Sequence, residues 1–156
     1  MTREHKYRAW DEEAQEMLYS DKDYERCTFV CESDGILRCF VPEEVPATQD
    51  EPSHTRGREL EDIMEYTGLK DKNIKEIYEG DITRIGKCPL PVIVFWDEQV
   101  AAWQVTNSHK ENGGASLLSQ YANDYHNIVE VIGYIHENPD LLKEWEQYGR
   151  QSTQVR

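Results

Sequence analysis

Tyr66-Thr67-Gly68-Leu69-Lys70-Asp71-Lys72-Asn73-Ile74-Lys75-Glu76-Ile77-Tyr78-Glu79-Gly80-Asp81-Ile82 alternates turn signals with short apolar pieces, and this alternation decides the fold. Gly68 to Asn73 turns the chain, Ile77-Tyr78 is a short extended piece, and Glu79-Gly80-Asp81 is a tight turn before a strand at 82–85. Gly68 and Gly80 are expected where the backbone needs positive φ or a close approach. Asp71 and Asp81 are expected to accept backbone N–H groups, as short acidic side chains do in turns. Trp10, Tyr66, Tyr78 and Ile82 are expected in the core.

The same rhythm continues on both sides. Pro91-Val92-Ile93-Val94-Phe95-Trp96 is a near-continuous apolar run, which predicts a central strand with both faces covered. Asp97-Glu98-Gln99 turns it, Val100–Val105 returns, and Ile128–Ile135 forms the last strand. Asn107–Ala115 reads as a polar connection and Leu117–Tyr125 as containing a helical turn. Upstream, 7–11 alternates with period two and Met17-Leu18-Tyr19 returns beside it, with a helix over Asp11–Leu18 as the competing reading. Cys27–Val41 predicts a hairpin around Asp34-Gly35. The 42–58 stretch, with Pro42, Pro46 and Pro52, has no periodicity and reads as an acidic loop. Glu59–Tyr66 leaves helix and strand open. At the C-terminus Asn138 suits an N-cap, Pro139 the first helical position and Asp140 the helix dipole. Leu141, Leu142, Trp145 and Tyr148 form one apolar stripe that Gly149 would stop. The pattern predicts a mainly β fold, a small barrel or roll of short antiparallel strands with a C-terminal α-helix. It is expected as a single domain over 1–145, followed by the helix end and a frayed tail over 146–156.

The chain has 156 residues and a net charge of −14. Between 21 and 65 there are thirteen acids and five bases, a net of −8. Phosphate backbones are bound by Lys and Arg, so a general nucleic-acid binder is disfavoured, and anionic lipid would repel the chain. The charge suits solubility or a basic protein partner. Met1–Ala9 is polar and lacks the apolar region of a signal peptide, and no segment has the length of apolar residues a bilayer span needs. A cytoplasmic protein with reduced thiols is expected.

Chemistry is sparse. Cys27, Cys31, Cys39 and His54 resemble a zinc set only loosely, without the tight paired spacings such sites use. His126 and His136 flank the last strand, too far apart along it to share a metal. A dyad of Cys88 with His109 or His126 is conceivable, but the sequence does not pair them. No nucleophile elbow, P-loop, HExxH or GxGxxG motif is present. No catalytic residue, metal or cofactor is therefore assigned, and the chain reads as a non-enzyme. Trp96, Trp103 and Tyr134 are candidates for a base-stacking β face, and Lys70, Lys72, Lys75, Arg84 and Lys87 are the one basic cluster, interleaved with acids.

Three segments carry a family resemblance. They are Tyr7-Arg8-Ala9-Trp10-Asp11 with Met17 and Tyr19, the Tyr66–Ile82 stretch, and Glu130-Val131-Ile132-Gly133-Tyr134-Ile135 running into Glu137-Asn138-Pro139-Asp140-Leu141-Leu142. Together they resemble the YopX family of phage and prophage proteins over roughly residues 4–143, leaving 20–58 and 107–125 as variable inserts. The resemblance implies an SH3-like barrel component, phage or prophage origin and self-association. It brings no catalytic residues. Arg8, Trp10, Asp11, Tyr66, Gly68, Asp71, Tyr78, Gly80, Asp81, Gly133, Asn138 and Pro139 are then expected to be structural. One departure stands out. The family pattern usually places Gly after the Asn of the Asp-Lys-Asn turn, and here Ile74 stands there. A β-branched residue resists φ > 0, so the turn is expected to differ or Ile74 to pack against something.

Three functions follow as expectations. The first is a non-enzymatic interaction or assembly protein, which associates with itself. The second is an acidic inhibitor that binds a basic host protein. The third is a nucleic-acid-binding small β-barrel.

Overall fold

The computed structural model describes residues 4–106 and 114–143. These contain twelve β-strands and two short 3-10 turns, so the chain is mainly β. They divide into two compact units, Glu4–Glu65 and Tyr66 onward, and each has its own apolar cluster.

In the first unit β1 (Tyr7–Asp11) and β2 (Glu16–Tyr19) form an antiparallel hairpin with Ala9 opposite Leu18 and Trp10 opposite Met17. The turn between them includes Gln15 at φ 54°, so the strand reading holds and the competing helix does not form. β3 (Thr28–Cys31) and β4 (Leu37–Val45) make the expected hairpin. Gly35 there adopts φ 80°, which a residue without Cβ reaches without strain. β5 (His54–Leu60) completes a β3-β4-β5 sheet, and Ile63–Glu65, the start of β6 (Ile63–Lys70), pairs with β1. Ala9, Leu18, Cys27, Cys39, Val41 and Leu60 form the core.

The 42–58 loop is a correction. Its two ends are strands, paired from Cys39 opposite Leu60 to Val45 opposite His54, and only 46–53 connects them. Most of β5 is exposed, so no apolar alternation marks it. Pro42 lies beyond Phe40, where pairing with β3 ends, and a residue without N–H is tolerated where one strand edge is free. Opposite Pro42, Gly57 lies against the Phe40 ring, where a Cβ would be 3.4 Å from a ring carbon. The ambiguous 59–66 stretch resolves into the end of β5 and the start of β6.

In the second unit the rest of β6 pairs with β7 (Glu76–Tyr78), with a bulge between Tyr66 and Lys70 that contains Gly68 at φ 82°. The strand thus continues through the expected start of the turn. The main sheet has the order β11-β10-β9-β8-β12: β8 (Asp81–Ile85), β9 (Val92–Asp97), β10 (Ala102–Thr106), β11 (Ala115–Leu117) and β12 (Val129–Tyr134). A 3-10 turn, Leu118–Gln120, links β11 towards β12. The core holds Ile77, Val92, Val94, Val105, Leu118, Ala122 and Val129. β9 is central as predicted, but only Val92 and Val94 are buried, while Ile93 and Phe95 are half-buried and Trp96 is exposed. An apolar run therefore overstated its burial, because its second face stays partly open.

Of the expected C-terminal helix only the beginning, up to Lys143, lies within the described residues. Its described residues form a four-residue 3-10 turn, Pro139–Leu142, with Pro139 in the first position. Asn138 stands before it but makes no side-chain cap. Its Oδ1 instead accepts the N–H of Tyr134 at 3.3 Å. Trp145, Tyr148, Gly149 and the 146–156 tail lie outside the described residues, as do positions 107–113 of the expected insert.

Candidate functional site

Arg8, Asp11, Thr67, Asp71 and Asp81 are the buried polar residues of the three motif segments, and the three carboxylates among them accept backbone N–H groups. Asp71 is 3% exposed. Its Oδ1 accepts the N–H groups of Asn73 at 2.8 Å and Lys75 at 2.9 Å, and its Oδ2 accepts the N–H of Val131 at 3.0 Å. One carboxylate thereby shapes a turn and ties it to β12. The Lys72 N–H donates to the Val129 carbonyl at 2.9 Å, a second tie between the same pieces.

Ile74 lies inside this turn at φ 67° and is 76% exposed. Ile74 does not pack, but the turn does differ from that of an Asn-Gly pair: Ile74 is left-handed while Asn73 is not. The Asn73 and Lys75 N–H groups, on either side of Ile74, donate to the Asp71 carboxylate and hold the conformation against the β-branched preference.

Gly80, at φ 76°, donates its N–H to the Val94 carbonyl at 2.9 Å, and its carbonyl accepts the Ile135 N–H at 3.1 Å. The glycine thus joins β9 to the end of β12. Asp81 is buried, and its Oδ2 accepts the Tyr78 N–H at 2.8 Å. The rings of Tyr66 and Tyr78, opposite one another in register, lie 5.5 Å apart and both are buried. Gly133 follows a register shift in β12. A Cβ there would lie 2.6 Å from Asn138 Oδ1, so a side chain at 133 would have to displace the Asn138 amide that accepts the Tyr134 N–H.

In the first unit Asp11 is buried and accepts the N–H groups of Glu13 at 3.1 Å and Ala14 at 3.2 Å. Arg58, 47 positions away, places Nη2 at 2.9 and 3.0 Å from its two oxygens. Burial opposes the charge on Asp11, but the Arg58 and backbone hydrogen bonds outweigh it and hold the carboxyl below its ordinary 3.8. Arg8 and Trp10 are buried on β1, and the Trp10 indole donates to Glu12 at 2.7 Å.

The other candidate groups do not converge. Cys27 and Cys39 sit in the first core, Cys31 and His54 are exposed, and Cys88 is exposed. Burial pushes the Cys39 thiol up to about 12 and raises that of Cys27; such thiols are poor nucleophiles. His109 lies outside the described residues. No group of three or more His, Cys, Asp or Glu among the described residues is placed to hold a metal ion. Trp96 and Trp103 pack edge to face at 5.1 Å, but Tyr134 is buried on β12, so the three do not form one open stacking face. In the basic cluster, Lys72 pairs with Glu130 at 2.8 Å, and Glu130 also stands opposite Arg84. No helix among the described residues is long and apolar enough to cross a membrane.

These turns coincide with a family pattern. Residues 6–143 match the family described as YopX protein. The chain belongs to the YopX family. No curated protein matches it. Among solved structures it is similar to the protein EF1440 from Enterococcus faecalis, at 25% identity and a TM-score of 0.45, over 90% of this chain and 99% of that one. The YopX match covers every motif segment above. Two polar contacts of that set leave no mark in the sequence, the Arg58 pair of Asp11 and the Val131 contact of Asp71. Arg58 sits in a stretch without periodicity, and 60 residues separate Asp71 from Val131.

Proposed function

We propose that this YopX protein is a phage- or prophage-encoded, non-enzymatic interaction or assembly protein. The observation that carries the reading is Asp71. A buried carboxylate held by three backbone N–H groups is fully committed to shaping the chain. Asp11 and Asp81 are used the same way. We further infer that the second unit is an SH3-like barrel. The order β11-β10-β9-β8-β12, in which the fifth strand returns beside the first and a 3-10 turn precedes it, supports this. Small barrels of this kind commonly serve as binding scaffolds. Light scattering on the purified chain at micromolar concentration should give a mass above that of one chain; a strict monomer removes the assembly part of the proposal.

The charge distribution favours a second reading, an acidic inhibitor of a basic host protein. Residues 4–65 hold eighteen acids and seven bases, a net of −11 out of −14. Salt-sensitive recovery of a nucleic-acid-binding protein from host lysate is the expected result, and recovery of nothing basic would remove this reading.

A further inference from the structure

The β3-β4-β5 sheet ends at β3, and that edge is open. The Glu32 N–H donates to the Ile36 carbonyl at 3.0 Å, just beyond the pair Cys31 and Leu37. Antiparallel ladders alternate between bonded and non-bonded pairs. Val30 and Thr28 therefore bond towards β4, whereas Phe29 and Cys31 direct their N–H and C=O groups away from it. No backbone partner meets those groups among the described residues. Thr28, Val30 and Cys31 are exposed. Thr28-Phe29-Val30-Cys31 carries no Pro and no charge, and its pairing with β4 has no bulge. These are the devices that normally protect an edge from pairing with another chain.

The charge around this edge selects what can reach it. The unit is net −11, and its bases are already engaged. Lys6 pairs with Glu4 and Asp21, Arg26 with Glu16, Arg38 with Glu32, Asp34 and Glu59, Arg56 with Glu43, and Arg58 with Asp11 and Glu13. Lys22 lies over the Tyr19 ring, and Arg8 is buried. A second copy of this acidic unit would be repelled, whereas a Lys-rich strand would be attracted.

We infer that the free edge of β3 is a docking site for an extended basic segment of another protein, which adds as a strand through the main chain of Phe29 and Cys31. The inference rests on the interaction reading above and names its surface and the chemistry of its partner. Strand addition draws affinity from main-chain hydrogen bonds, and the carboxylates supply the selection for positive charge.

The probe is an end-capped peptide of alternating Lys and Val, eight residues long, titrated into the full chain, with an alternating Glu and Val peptide beside it. The Lys peptide is expected to bind, to weaken as salt rises, and to protect the Phe29 and Cys31 amides from hydrogen exchange. The Glu peptide is expected not to bind. Cys31→Pro removes an outward N–H without touching the β4 ladder and should weaken binding at least tenfold, while Cys31→Ser should leave it unchanged. Val30→Lys keeps the ladder, adds positive charge at the edge and should also weaken binding, which covers the case in which the Pro variant does not fold. No binding of the Lys peptide, or binding indifferent to both edge variants, would overturn the inference. So would protection of the two amides that grows with protein concentration in the absence of peptide, since a second copy would then occupy the edge. Multimers seen by light scattering together with a failed peptide titration would remove this site and leave the assembly proposal standing.

Discussion

Gly133 and Asn138 approach so closely that a Cβ on residue 133 would lie 2.6 Å from Asn138 Oδ1 and 2.8 Å from a methyl carbon of Leu141. Asn138 is held there from both ends, its N–H donating to the Tyr134 carbonyl at 2.9 Å and its Oδ1 accepting the Tyr134 N–H. The end of β12 and the 3-10 turn after it are thus one tightly closed corner.

Gly133→Ala should therefore destabilise the fold by about 1–3 kcal/mol, the usual cost of forcing extra atoms into a filled site. Urea unfolding measures this. In an Asn138→Gly background the same change should cost less, because the nearest colliding atom is gone and only the Leu141 methyl remains.

Ile74 offers the opposite effect. It sits in the left-handed region with its side chain in solvent, so its removal loses little packing. Ile74→Gly should stabilise the chain by about 0.5–1 kcal/mol, the relief of left-handed strain less the added freedom of the unfolded chain. Thermal unfolding should show a higher midpoint, and a lower one would mean that Ile74 makes a contact in solution.

The Asp11–Arg58 pair predicts a defined acid response. The folded carboxyl titrates below 3.8, its ordinary value. The unfolded chain therefore binds the proton more readily, and stability falls as pH drops below that value. The contribution is complete above the unfolded value and lost as pH falls through the folded one. Between pH 4 and pH 2 the wild type should lose more stability than Asp11→Asn, by at most about 2 kcal/mol for one carboxyl. Equal slopes in denaturant titrations across that range would contradict the pairing.

What the sequence makes legible is local. Gly68 and Gly80 announce positive φ because no Cβ opposes it, and both adopt it. Asp34-Gly35 announces its hairpin for the same reason. The 42–58 strands are silent because exposed strands bury no alternating face, and their register rests on contacts such as Glu43 with Arg56 at 2.7 Å. Asn138 carries a helix-cap signature, yet its side chain accepts a strand N–H instead of capping, in space that the neighbouring Gly133 leaves open. The carboxylate of Asp71 is readable as a turn former, but its distant partner Val131 is not, nor is the Arg58 partner of Asp11, since both reach their carboxylates only through tertiary structure.

The central claim is that the shared carboxylates build backbone rather than chemistry, and hydrogen exchange in Asp71→Ala tests it most directly. Loss of protection centred on the Asn73, Lys75 and Val131 amides, with stability lowered by about 3 kcal/mol or more as charged hydrogen bonds are left unmade, is the predicted result. Unchanged exchange at those three amides, with stability intact, would contradict it and free Asp71 for another role.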